Sequence, residues 1–182
     1  MIDMKTIIEH VFEANPDRTE ANLNRRIFKL FEELGELSEA YLASTSSRSY
    51  KNKTWNDVRE EAADVLIVAL DIALTPSEEA GIDGNFKTLL NSILANWPLP
   101  TFDYDLVFLD IASMAAVFGK HGSAQARVEM VLCAFSLTDL VFGAGDVQGR
   151  HYEAADLLSE IDRKLTKWKN NRQSNKVMTD AE

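Results

Sequence analysis

Two short acidic segments have the residue types and the spacing that could do chemistry in this chain. In the sequence EELGE, Glu33 and Glu36 are three residues apart. Positions three apart are neighbours on an α-helix, so these two carboxylates can point at one spot. In EEAAD, Glu61 and Asp64 repeat the same spacing. Such anions repel one another unless a cation lies between them.

Mg²⁺ is the cation that such a set of carboxylates suits, because it takes oxygen ligands and bridges protein carboxylates to substrate phosphates. We therefore predict that Glu33, Glu36, Glu61 and Asp64 hold Mg²⁺, or Mn²⁺ in its place. Phosphoryl or nucleotidyl transfer would then proceed by positioning, charge neutralisation and an activated water. Glu32 is predicted to orient or deprotonate that water, and Glu33 is counted with it as catalytic.

The first acidic pair lies in a stretch with a helical apolar pattern. Its apolar residues recur at three- and four-residue steps and predict one buried side: Ile27, Leu30, Phe31, Leu34 and Tyr41. This helix is predicted to run from a cap at Asp17 to about Ala43. Gly35 within it predicts the close approach of a ligand or backbone, or tight helix packing.

The second acidic pair lies in a helix that is apolar over nearly its whole circumference, which predicts burial on most sides. Thr54 and Asp57 form a capping box at its start, and Thr75-Pro76 marks its end. Asp71, on the side of Glu61, would need a cation or hydrogen-bond donors in such surroundings.

The rest of the chain also reads as helices, and no segment alternates with the period of a strand. Further helices are predicted at Met4–Ala14, Phe86–Asn96, Asp103–Phe118, Ala124–Phe142 and Tyr152–Lys169. We therefore expect an all-α fold, a helical bundle. Residues 1–84 form the predicted metal-binding half, residues 85–170 a second half packed on it as one domain, and residues 171–182 a frayed tail.

Basic residues are outnumbered by acidic ones, 19 to 29, and more than one role is open for those near the acidic helices. Lys51 and Lys53 lie in a polar loop between the acidic helices, where they could cover a phosphate chain or belong to a solvated connection. Lys164 and its neighbours near the end of the last helix could approach the site, but favourable interaction with the helix dipole is the preferred interpretation. Asn22 and Trp55 could contact a base, although capping or packing is preferred for both.

The composition of the chain argues against several classes of protein. The net charge of -10 over 182 residues argues against nonspecific binding to nucleic acid or to anionic membranes. The single cysteine, Cys133, allows no disulfide framework and is predicted to be a small buried hydrophobe. The first residues do not form a signal peptide, and no apolar run reaches the length of a membrane span, so we expect a cytoplasmic protein.

The two acidic motifs, in their order and in an all-helical chain, resemble the EExxE and ExxD signature of the MazG-type nucleoside triphosphate pyrophosphohydrolases. The resemblance covers roughly residues 27–74 and implies a four-helix bundle built on an antiparallel pair of helices that carry the two motifs. It implies Mg²⁺-dependent hydrolysis of a nucleoside triphosphate between its α- and β-phosphates, with the four ligands named above. It also implies that Lys29 could reach a phosphate, unless it is a surface lysine beside acids. Asp71 stands where relatives often have Asn and could be an extra ligand or a substrate contact.

The second half shows no familiar motif, but it aligns with the first as a faint internal repeat. Residues 31–34 fall on residues 108–111, and Glu61 falls on Glu129. Alternatively, any two amphipathic helices align this well. Because members of the resembled family commonly assemble from two or more helical units, a degenerate second copy could replace a partner subunit, or the chain could form a homodimer.

Two other classes compete with this hypothesis. A di-iron bundle needs Glu-x-x-His pairs, and the sequence contains none. A non-enzymatic helical interaction module, with its acidic face turned to solvent or to a basic partner, remains the alternative. Metal dependence separates it from the enzyme.

Overall fold

The computed structural model describes residues 4–16, 18–45, 51–77, 82, 85–95, 123–143 and 154–179. The helices are α1 (Met4–Ala14), α2 (Leu23–Thr45), α3 (Trp55–Ala73), α4 (Phe86–Ala95), α5 (Ala124–Gly143) and α6 (Ala154–Thr179). A 3₁₀ turn at Glu20–Asn22 precedes α2, and one isolated bridge joins Ser77 to Ile82. No strand occurs in these ranges, and the all-α prediction is confirmed.

Helix α3 lies at the centre of the fold. It packs against α2 and α5, with smaller contacts to α1 and α6. Its residues from Ala62 to Ala73 are all buried, as expected of a helix that is apolar on nearly every side. The acidic residues of α3 are therefore held in a packed environment and cannot all turn to bulk water.

Helix α2 presents the predicted apolar side to α3 with one exception. Ile27, Leu30 and Leu34 are buried, whereas Phe31 is 39% exposed, so its assignment to the core was wrong. The buried row continues instead through Leu37, which extends the three- and four-residue spacing.

Gly35 shows neither the tight helix packing nor the close backbone that were offered to explain it, and the approach of a ligand stays a prediction. A Cβ built at this position meets no heavy atom within 4 Å beyond the local chain, and the residue is exposed. Neither tight helix packing nor the close approach of another backbone therefore requires a glycine here.

The predicted start of α3 is confirmed, whereas α2 begins later and α6 ends later than predicted. The Asp57 carboxylate accepts hydrogen bonds from the Thr54 amide at 2.6 Å and the Thr54 hydroxyl at 2.8 Å, at the predicted start of α3. Helix α2 begins at Leu23, later than predicted, and its predicted cap Asp17 lies outside the described residues. Helix α6 continues to Thr179, well past its predicted end at Lys169.

The helix predicted at Asp103–Phe118 lies outside the described residues, so the internal repeat stays a prediction. Cys133 is buried within α5, as expected. In the part of the chain that the structure describes, no helix combines the length and the apolar character needed to cross a bilayer.

Candidate metal centre

Three of the four predicted ligands meet where α2 packs on α3. Each of Glu33, Glu61 and Asp64 offers a carboxylate oxygen, and these three atoms lie within 4.8 Å of one another. Glu33 is only 4% exposed and Asp64 only 9%. Glu33 owes its burial to its place beside Leu30 and Leu34 on the face of α2 that packs on α3. We call these three residues the acidic triad.

Burial is the main cause of the raised pKa values in the acidic triad. It raises the pKa of Glu61 to about 6; the nearby charge of Lys164 opposes this change, and the charges of Asp64, Glu36 and Glu33 add to it. Burial is also the first cause of the raised pKa values of Glu33 and Asp64. The ionised form of the triad is therefore disfavoured, and a divalent cation would stabilise it.

Glu36, the fourth predicted ligand, and Glu32, the predicted base, are exposed and lie outside the triad. The charge of Glu36 contributes to the raised pKa values of Glu33 and Glu61, which places it nearby. Glu32 forms an ion pair with Lys29, in which Glu32 Oε1 lies 3.0 Å from Lys29 Nζ. The same ammonium lies 2.7 Å from Glu33 Oε1. Lys29 therefore connects Glu32 to the triad residue Glu33.

Lys164 of α6 belongs to the site, although a helix-end role was preferred for it from the sequence. Its ammonium donates a hydrogen bond to Asp64, and the residue is buried. Burial alone would lower the pKa of Lys164, but the bond to Asp64 and the surrounding carboxylates raise it overall. The preferred interpretation as a helix-end residue was therefore wrong. Lys164 follows Leu157 and Ile161 on the buried face of α6, at steps of four and three residues. This spacing in the sequence could have indicated that Lys164 is buried.

Asp71 lies in a buried network two turns along α3 from Asp64. Its carboxylate pairs with Arg18 Nε at 2.9 Å and with Arg26 Nε at 2.6 Å. Asn15 Nδ2 donates to both of its oxygens, at 2.8 and 3.0 Å. The donors expected for this residue thus come from α2 and from the segment between α1 and α2.

The two loop lysines pair with acids outside the triad. Lys51 pairs with Glu39, and Lys53 lies 3.3 Å from Asp57. Their proposed contact with a phosphate chain stays a prediction. Trp55 has a packing role, since its ring meets Tyr41 edge-on and its Nε1 donates to a backbone carbonyl of α5.

A cleft of about 820 Å³ lies beside Lys29 and Glu32, although no triad residue lines it. Its described walls include Arg25, Phe28 and Lys29 from α2, Asp71 from α3 and Trp168 from α6. We call this feature the α2–α6 cleft. Lys29 lines this cleft and also pairs with Glu33. This one side chain therefore connects the cleft to the triad.

Comparisons with protein family models, with curated proteins and with solved structures find no match to this chain. The likeness to the MazG-type enzymes therefore depends on the sequence motifs alone, and the pairing of helices typical of that family stays a prediction.

Proposed function

We propose that this protein is a Mg²⁺-dependent nucleoside triphosphate pyrophosphohydrolase of the MazG type, which releases a nucleoside monophosphate and pyrophosphate. The observation that carries the proposal is the meeting of Glu33, Glu61 and Asp64, whose oxygens lie within 4.8 Å of one another. These are three of the four residues at which the motifs carry metal ligands in the resembled family.

The donor set suits the proposed ion. It consists of carboxylates alone, and hard oxygen donors favour Mg²⁺ or Mn²⁺ over ions that prefer nitrogen or sulfur ligands. Glu36, which is exposed, is the proposed fourth ligand. When bound, the ion would neutralise phosphate charge and acidify a water molecule.

The residues around the triad have separate roles in this proposal. Lys29 would attract a phosphate, since it lines the α2–α6 cleft and its ammonium lies 2.7 Å from Glu33 Oε1. Glu32 would hold the attacking water and accept its proton, because its carboxylate is exposed beside Lys29. Lys164 would keep Asp64 ionised and in place.

A second candidate is a non-enzymatic helical module in which the acids serve only structure. The ion pairs of Lys29 with Glu33 and of Lys164 with Asp64 favour it, because they already neutralise part of the triad. In that case divalent ions would have little effect on the protein.

The experiment is a measurement of pyrophosphate release from common and modified nucleoside triphosphates, with Mg²⁺ and with EDTA. We expect Mg²⁺-dependent release that Glu61→Gln abolishes, because the substitution removes one proposed ligand and keeps the side-chain volume. Glu13→Gln is the matched control, since Glu13 is an exposed acid on α1. If no nucleotide is hydrolysed and Mg²⁺ does not raise the melting temperature, the non-enzymatic module is the correct alternative.

A further inference from the structure

The α2–α6 cleft has the size of a small-molecule site. Its volume of about 820 Å³ lies within the range of ligand pockets, roughly 300 to 1,000 Å³. Lys29 and Glu32 line it and also belong to the surroundings of the acidic triad. A ligand in the cleft would therefore have one end beside the proposed metal site.

One wall of the cleft is basic, although the chain as a whole carries a net charge of -10. Arg25, Arg26 and Lys29 all line it from α2. Arg26 is held by Asp71, whereas no described residue forms an ion pair with Arg25, which is exposed. Arg25 and Lys29 are four residues apart and so lie on one face of the helix. Arg25 thus offers a cation to an anionic ligand, and Lys29, which is shared with Glu32 and Glu33, lies at the end of this face next to the triad.

Aromatic side chains line the same cleft from two different helices. Phe28 is 74% exposed, and Trp168 is half-buried on α6. Exposed aromatic faces bind planar rings well, and base stacking on such residues is tolerant of base identity. Asn22 adds an amide at the rim, where its Nδ2 donates to Thr19 Oγ1 at 3.2 Å.

We propose that the α2–α6 cleft binds the base and sugar of a nucleoside triphosphate. Phe28 and Trp168 contact the base, and Arg25 and Lys29 bind the phosphate chain as it runs towards Glu33. This inference rests on the proposed function and adds the residues that recognise the substrate.

Asp71 is a positioning residue in this arrangement. It holds Arg26 at 2.6 Å and Asn15 at 2.8 Å, and all three line the cleft. Asp71 is buried and forms ion pairs with Arg18 and Arg26. These contacts would hold Arg26 and Asn15 in place along the wall of the cleft.

The test compares a nucleotide probe with a phosphate-only probe on the full chain in Mg²⁺. The nucleotide probes are α,β-methylene-ATP and α,β-methylene-dUTP, and the phosphate-only probe is inorganic tripolyphosphate. Calorimetry gives Kd for each, and quenching of tryptophan fluorescence reports contact with Trp168. Leu42→Ala is the matched control for Phe28→Ala, because Leu42 is 62% exposed on the same helix and does not line the cleft.

We expect Phe28→Ala and Trp168→Leu to raise Kd for at least one nucleotide probe by roughly 5- to 100-fold. Both should leave Kd for tripolyphosphate within about twofold of the wild-type value. Arg25→Gln should weaken both kinds of probe. Trp168→Phe should recover part of the affinity and lose the fluorescence quenching, which separates stacking from a folding defect.

Two results would overturn this inference while leaving the proposed function intact. The first is pyrophosphate release with unchanged KM in Phe28→Ala and Trp168→Leu. The second is an equal loss of nucleotide and tripolyphosphate binding in these variants while the Leu42→Ala control binds normally. If the wild-type protein binds none of the probes in Mg²⁺ and releases no pyrophosphate, the inference and the proposed function both fail.

Discussion

Glu61→Gln is expected to stabilise the metal-free protein while removing its response to Mg²⁺. Burial and the charges of neighbouring carboxylates raise the pKa of Glu61 from 4.5 to about 6. At about 1.4 kcal/mol per pKa unit, ionising Glu61 in the folded state would cost at most about 2 kcal/mol. We halve this to about 1 kcal/mol because the side chain is only half-buried and solvent screens its charge.

The sign of the pH dependence follows from the two pKa values of Glu61. Since the folded protein holds this proton more tightly than the unfolded chain, the stabilising contribution is complete below pH 4.5. It is lost as the pH rises through 6. Glutamine does not titrate, so the variant escapes this loss. In EDTA, we expect it to match the wild type near pH 4.5 and to melt about 2 to 4 °C higher at pH 7.5.

Mg²⁺ should reverse the order of the two proteins at pH 7.5. An ion at 100 times its Kd stabilises a protein by about 2.7 kcal/mol, which is roughly 5 to 10 °C for a chain of this length. The variant lacks one ligand and should gain much less. The assay is thermal unfolding of both proteins at several pH values, with EDTA and with Mg²⁺.

Two results from the same melts would contradict the proposed roles of Glu61. One is a Glu61→Gln protein that is less stable than the wild type in EDTA at pH 7.5, which would make Glu61 a favourable structural charge. The other is an equal Mg²⁺ response in both proteins.

Three further variants test other parts of the structure by thermal or urea unfolding. Gly35→Ala should raise the free energy of unfolding by about 1 kcal/mol, because alanine favours the helix and its Cβ meets nothing; a destabilised variant would show a contact at this position. Asp71→Ala should destabilise by about 3 to 5 kcal/mol, since it leaves Arg18 buried without its carboxylate; a loss below 1 kcal/mol would contradict the network. Lys164→Met should lower the melting temperature in EDTA and enlarge the gain on adding Mg²⁺, because Asp64 loses its cation; an unchanged melting temperature would contradict the burial of this pair.

The helices were readable from the sequence because their signals are local. The capping residues Thr54 and Asp57 and the apolar periodicity of α3 act within one or two turns. The start of α2 was placed too early, because a 3₁₀ turn at Glu20–Asn22 continues the polar pattern without forming part of the α-helix.

The acidic triad was predictable from spacing, but the residues that neutralise it were not. The three-residue step from Glu61 to Asp64 places both on one side of α3, and Glu33 meets them from α2, whereas its own partner at three residues, Glu36, stays outside the triad. Lys164 is 100 residues from Asp64 in the chain, and Arg18 is also remote from Asp71. Such pairs depend on which helices pack together, and no local pattern specifies that.

The α2–α6 cleft was equally hidden, because its walls come from segments far apart in sequence. Phe28 was not assigned a role, and Trp168 was assigned to a basic helix end. Only the packing of α6 against α1 and α3 brings Trp168 into the same cleft as Phe28.

A crystal structure of the protein with Mn²⁺, read by anomalous scattering, is the most direct test of the metal centre. We expect one Mn²⁺ peak between α2 and α3, about 2.0 to 2.2 Å from oxygens of Glu33, Glu61 and Asp64, as for Mg²⁺ bound by carboxylates. A saturated crystal with no peak among these carboxylates, and with Lys164 still paired to Asp64, would contradict the account.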